Sequence, residues 1–224
     1  MGIMPEPNIH ELARFYDPDE MHSKVTPETL HIPDHVFFRS SDLKYQKYRE
    51  AWGASLLARG VLAYFKPCEV RLCEGDFPDF EIRAGEVVHP FEFTEVLEPE
   101  YRRGDEYKKE RTGPIYSREV KFANVGEAVK WIFEGIKRKA EKRYGPGTHL
   151  LVYVDFQVAN AIDLALVRKR CKRYETTFKS MWLLFGFGIA QLFPSDEFGT
   201  VCLKWSEIPG YLEESKKRMG IKDF

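Results

Sequence analysis

Residues 68–98 read CEVRLCEGDFPDFEIRAGEVVHPFEFTEVLE, and the rest of the chain is best read outward from them. Apolar and polar residues alternate around Val70 and Leu72, again at Phe80 and Ile82, and a third time from Val87 to Val96. That is the period of half-buried strands, and Gly85-Glu86 between the last two runs is turn chemistry, so a three-stranded meander is expected. Strand interiors avoid Asp and Glu, because a carboxylate on a half-buried pleat loses water without gaining a partner. Asp79, opening the second run, and Glu92, midway along the third, stand where that cost falls. Antiparallel pairing about a turn at 84–87 brings the two close, on one face of the sheet if the register allows. Alternation sends Glu92 and Thr94 to one face and Phe91, Phe93 and Glu95 to the other. Two carboxylates so close repel each other unless a cation lies between them. The plainer alternative makes Asp79 a turn residue after Pro78 and points Glu92 at solvent.

Composition bounds the reading. With 224 residues, 43% of them hydrophobic, the chain can build one sizeable core and needs no second domain. A formal net charge of -1 argues against a protein held to nucleic acid by bulk charge, so local patches must carry any such binding. Cys68, Cys73, Cys171 and Cys202 lack CxxC spacing, and no charged-then-apolar leader opens the chain, which fits a cytoplasmic location. No apolar run reaches the roughly 18 residues of a membrane span. The six histidines show neither HExxH nor zinc-finger spacing, and no Ser or Cys sits in a GxSxG-like turn.

Around the meander the chain reads in order. Residues 1–41, rich in Pro and acids, are expected to form a solvated N-terminal arm, packed by Phe15, Tyr16 and Leu30, ahead of a single domain over 42–224. Asp42 offers an N-cap to an apolar-striped helix ending before Pro67, and Glu50 lies on it, with Lys47 as a salt-bridge partner if Glu50 is merely structural. Glu74 is a reserve acid. From Glu98 to Asn124 bases, acids and tyrosines interleave, and Arg102, Arg103, Lys108, Lys109 and Arg111 could clamp phosphates there, unless the loop is simply solvated. Glu127–Tyr144 is an amphipathic helix with a buried stripe through Ile132 and Ile136 and with Lys130, Lys137 and Lys139 on it. Leu150–Phe156 is a buried strand, Ala159–Phe178 a helix with a basic second half, 180–193 a strand pair or one bent strand, 201–205 an edge strand and 209–219 a closing helix. GFGIAQ, within 185–191, lacks the third glycine of a dinucleotide loop. The aromatic-rich 180–205 region offers an interface for a homodimer.

Pro78-Asp79, twelve residues, then Glu92-Phe93-Thr94 in a hairpin resembles the PD-(D/E)XK nuclease superfamily. The resemblance spans about 42–193 in the order αβββαβ. It implies an α/β fold with a restriction-endonuclease-like core, a mixed central sheet flanked by helices, here with an extra C-terminal helix and strands. It further implies that Asp79 and Glu92 bind Mg²⁺ (or Mn²⁺), that Glu50 assists from the preceding helix, and that DNA is the expected partner. In that superfamily a Lys two residues after the Glu orients the attacking water. Here Thr94 stands in that place, with no charge to stabilise a hydroxide. Either the Lys has moved, with Lys130, Lys137 and Lys139 of the amphipathic helix as candidates and Lys137 the chosen one, or the enzyme works without it, or the site is inactive. The first alternatives make the chain a metal-dependent nuclease. The last makes it a nuclease-like module that binds nucleic acid or protein.

Overall fold

The three alternating runs form three strands, β1 (Cys68–Leu72), β2 (Phe80–Ala84) and β3 (Val87–Val96), joined antiparallel in the computed structural model. It describes residues 8–26, 29–32, 37, 42–61, 67–99, 122–145, 147–159, 161–186, 188–193 and 206–218. Ala84 pairs with Val87 across a two-residue turn, and Gly85 takes φ +61, a conformation that costs glycine nothing. After β3 the chain crosses over through α3 (Val125–Ala140) to β4 (His149–Val154), and through α4 (Leu164–Cys171) to β5 (Met181–Phe185). Those two steps are parallel; β6 (Gly188–Phe193) and the two-residue β7 (Ser206–Glu207) return antiparallel. The result is a seven-stranded mixed sheet in sequence order β1 to β7, an α/β architecture.

Alternation along the strands sorts the core into two layers. Phe91, Phe93, Leu151, Trp182 and Leu184 pack on α2 (Leu43–Val61), while Val96, Leu150, Val152, Val154 and Leu183 pack on α3 and α4. Asp42 begins α2 as expected, its carboxylate accepting from the Lys44 N–H at 2.8 Å. Asn124 and Glu127 close a capping box on α3. Both helices approach β3 through a glycine. A Cβ on Gly53 of α2 would stand 2.6 Å from Phe93 Cε2, and one on Gly135 of α3 would stand 2.6 Å from Val96 Cγ2.

The N-terminal region is more than a solvated lead-in. Asp17 caps the short helix α1 (Pro18–Val25), and Leu12, Met21, Val25, Leu30 and Phe37 are buried in the α2 layer. Tyr16 also exchanges two backbone hydrogen bonds with Val70, covering the β1 edge. These residues cannot be separated from the domain, because their apolar side chains complete its core. Three further expectations shift. The helix expected over 159–178 is α4 with a 3-10 turn at Lys172–Tyr174, and Tyr211–Arg218 forms the closing helix α5. The described aromatic and aliphatic residues of 180–193, including Trp182 and Phe193, are buried in this chain's own core, apart from the half-buried Phe185. The edge strand expected at 201–205 lies outside the described residues. Among the described residues no helix is long and apolar enough to cross a membrane.

Two tests follow from this packing. Gly53→Ala or Gly135→Ala should lower unfolding free energy by ~1–3 kcal/mol in urea titrations, because helix and strand must part to admit one methyl. Burial, reinforced by His89 and Lys179, pushes the His149 imidazole down to about 3 from its usual 6.5. The folded chain therefore refuses a proton that the unfolded chain accepts. Stability present above pH 6.5 should decline as pH falls toward 3, at up to ~1.4 kcal/mol per pH unit, and His149→Gln should flatten that slope in pH-dependent denaturation.

Candidate active site

The register that pairs Phe80 with Phe91 sets Asp79 directly opposite Glu92, at the mouth of β2 and midway along β3. Asp79 is locked there by its backbone: its N–H donates to the Phe91 carbonyl at 3.0 Å, and its Oδ2 accepts from the Phe93 N–H at 2.8 Å. Both carboxylates are buried, Glu92 to 1% exposure. Lys139, in the last turn of α3, lies against the pair: its Nζ donates to Glu92 Oε2 at 2.6 Å and to Asp79 Oδ2 at 3.2 Å. A cation in the final turn is also favoured by the helix dipole.

From the other side α2 contributes Glu50, also buried to 1%. Gln46, one turn earlier, donates to Glu50 Oε1 at 2.9 Å. Lys47 lies 2.8 Å from Glu50 Oε2 and 4.0 Å from Asp79 Oδ1, and it donates to the Cys73 carbonyl at 3.3 Å. The five groups thus alternate in sign, Glu50, Lys47, Asp79, Lys139, Glu92. Burial raises the Glu50 and Glu92 carboxyls, and repulsion from Asp79 raises both further, against the opposing pull of Lys47 and Gln46 on the first and of Lys139 and Tyr144 on the second. Burial would depress Lys47, but Glu50 and Asp79 outweigh it and hold the ammonium above its usual value.

The cluster forms one wall of an open cavity of about 1080 Å³. His10, Lys44, Lys142 and Arg143 bring cationic or titratable groups to it, and Phe77 and Tyr144 bring aromatic ones. The Tyr144 hydroxyl is buried against Glu92, and burial first, then the hydrogen bond and charge of Glu92, push its pKa up. Glu74, the reserve acid, sits at the rim with Oε1 2.8 Å from His10 Nδ1.

The structure therefore brings together Asp79, Glu92 and Glu50 as expected. Lys137 is exposed and absent from the cavity; the lysine that reaches the acids is Lys139, two positions on and roughly 200° around the helix. Thr94 shares the Glu92 face but does not line the cavity. Glu95, on the opposite face, is engaged by Arg49 Nε at 3.0 Å. Arg102, Arg103, Lys108, Lys109 and Arg111 lie outside the described residues. Lys139 is one of the three helix lysines the resemblance offered, and Lys47 and Tyr144 are the additions.

Among the described residues no group of three His, Cys, Asp or Glu side chains is arranged to hold a metal ion. Mg²⁺ asks for less: one or two carboxylates with water and substrate phosphate completing its octahedron. Asp79 and Glu92 fit that requirement, and Glu92 Oε1 is a buried acceptor without a hydrogen-bond partner. Compared with protein-family models, with curated proteins and with solved structures, the chain matches none.

If Lys139 balances the buried pair, Lys139→Met leaves Glu92 uncompensated and Asp79 with only Lys47 at 4.0 Å, and should cost ~3–5 kcal/mol in urea unfolding. Adding Glu92→Gln should restore much of that loss. A double-mutant cycle showing no coupling between positions 139 and 92 would contradict the assignment.

Proposed function

We propose that the chain is a divalent-metal-dependent nuclease of the PD-(D/E)XK type, hydrolysing phosphodiester bonds of DNA, with its lysine supplied by α3 instead of β3. The observation that carries this reading is Lys139 Nζ, 2.6 Å from Glu92 and 3.2 Å from Asp79, since the resembled motif needs an ammonium beside those acids and Thr94 offers none. The meander, crossover helix and following parallel strand support it through their order.

The roles follow from position. Asp79 and Glu92 would hold Mg²⁺ (or Mn²⁺), with Glu50 lining the same cavity. Such an ion polarises the scissile phosphate and lowers the pKa of bound water. Lys139 donates a proton-bearing contact to the attacking oxygen and offsets charge as it develops on the phosphorane-like transition state. Lys44, Lys142 and Arg143 neutralise phosphates along the cavity rim. Burial of the carboxylates favours this chemistry, because electrostatic contacts strengthen where water is excluded.

A second reading rests on the same cluster. Lys47 and Lys139 already compensate the acids, so a binding module without catalysis could keep the arrangement for stability alone.

Labelled single- and double-stranded DNA, with RNA alongside, incubated with Mg²⁺, Mn²⁺ or chelator, separates the two. The nuclease reading expects metal-dependent cleavage of DNA that falls at least ~100-fold in Asp79→Asn, Glu92→Gln and Lys139→Ala, a loss typical of removing a transition-state charge contact. Lys137→Ala should stay within about twofold of the parent protein, as expected of an exposed side chain without site contacts. Absence of cleavage under every condition, with binding retained, would establish the binding module.

A further inference from the structure

Phe77 is an exposed aromatic residue where burial would be the rule. It precedes Pro78-Asp79, lines the cavity, and keeps 46% of its surface in water. Its ring is not loose. Tyr144 stacks against it, centroids 5.6 Å apart and planes 20° from parallel, and Tyr144 is backed in turn by the buried Phe178 at 6.0 Å. An exposed ring supported from behind by a second ring has lost most of the rotamer freedom that ligand binding would otherwise cost. Lys142 and Arg143 precede Tyr144 in the chain, and both line the same cavity. Cations beside a braced aromatic face form the arrangement that holds a nucleotide by its phosphate and its base at once.

A duplex cannot use that face, because its bases are already stacked on one another. We propose that Phe77, braced by Tyr144, is a stacking platform for an unpaired base, so that the site takes single-stranded DNA or a frayed end. This rests on the nuclease reading for the identity of the substrate, while the stacking itself needs no cleavage. It places the base two residues from Asp79, and hence the adjoining phosphodiester beside the carboxylates and Lys139.

The test is binding with chelator present, so that cleavage plays no part. Fluorescence anisotropy compares the full-length protein on a labelled twelve-nucleotide single strand and on the same strand built from abasic sugars. The two ligands carry equal charge and differ only in their bases. The parent protein should bind the base-bearing strand about tenfold or more tightly than the abasic one, as one stacked base allows. Phe77→Ala should abolish that preference and Phe77→Trp should keep it, and an unchanged melting profile shows that each variant folds. Equal binding of both strands by the parent protein, or an undiminished preference in Phe77→Ala, overturns the platform. If metal-dependent cleavage is found but the strands bind equally, the platform falls and the nuclease stands. If the base preference is found without cleavage, the platform stands and the nuclease falls.

Discussion

Three carboxylates and two ammonium groups share one buried corner of this fold, and their order in space governs what surrounds them. Glu50, Lys47, Asp79, Lys139 and Glu92 alternate in sign, so each acid has a base beside it and no two acids meet without one between them. Buried ions are stable only under such compensation. The sum is still one negative charge in excess, and burial first, with repulsion from Asp79 added, raises the Glu50 and Glu92 carboxyls. A corner built this way stores an unmet demand for a cation. A proton meets that demand at low pH, and in the nuclease reading proposed above a divalent metal ion would meet it.

The cluster draws on α2, the β2–β3 hairpin and α3, so its geometry depends on how closely the helices pack on that hairpin. Both helices are registered on β3 through glycines, Gly53 against Phe93 and Gly135 against Val96. Lys139 lies one helical turn beyond Gly135 and Lys47 lies less than two turns before Gly53. A glycine contact fixes distance more sharply than a contact between long side chains, because there is no rotamer to yield. The two lysines therefore arrive at the acid pair from opposite layers with little freedom to miss it. The core and the site are in this sense one packing problem.

Much of this was legible in the sequence because it follows from periodicity. The period of two over 68–98 predicted the three strands, and a two-residue turn at Gly85-Glu86 was enough to set Asp79 opposite Glu92. The helical period was equally informative about the lysine, although adjacency to Ile136 favours the wrong one. Lys139 follows Ile132, Gly135 and Ile136 by seven, four and three residues, so it continues their buried stripe, whereas Lys137 joins the exposed Lys130, Glu134 and Glu141. The N-terminal region misleads for a compositional reason. Its prolines and acids read as solvated, yet Met21 and Val25 are spaced i, i+4 on a short capped helix and need only one apolar neighbour to be buried. Phe77 and Tyr144 lie in irregular segments, where no period exists to say which way a side chain points.

In the nuclease reading proposed above, a lysine supplied by the helix in place of the strand is controlled differently. A lysine at position 94 would be held by the sheet and could leave the acids only by a rotamer change. Lys139 is held by the last turn of α3, the part of a helix whose carbonyls lack partners and which opens most readily. Its ion pairs with Glu92 and Asp79 tie that turn down, and Tyr144 is carried on the segment that leaves it. A ligand that competes for the two carboxylates thus competes with the contact that orders the end of α3.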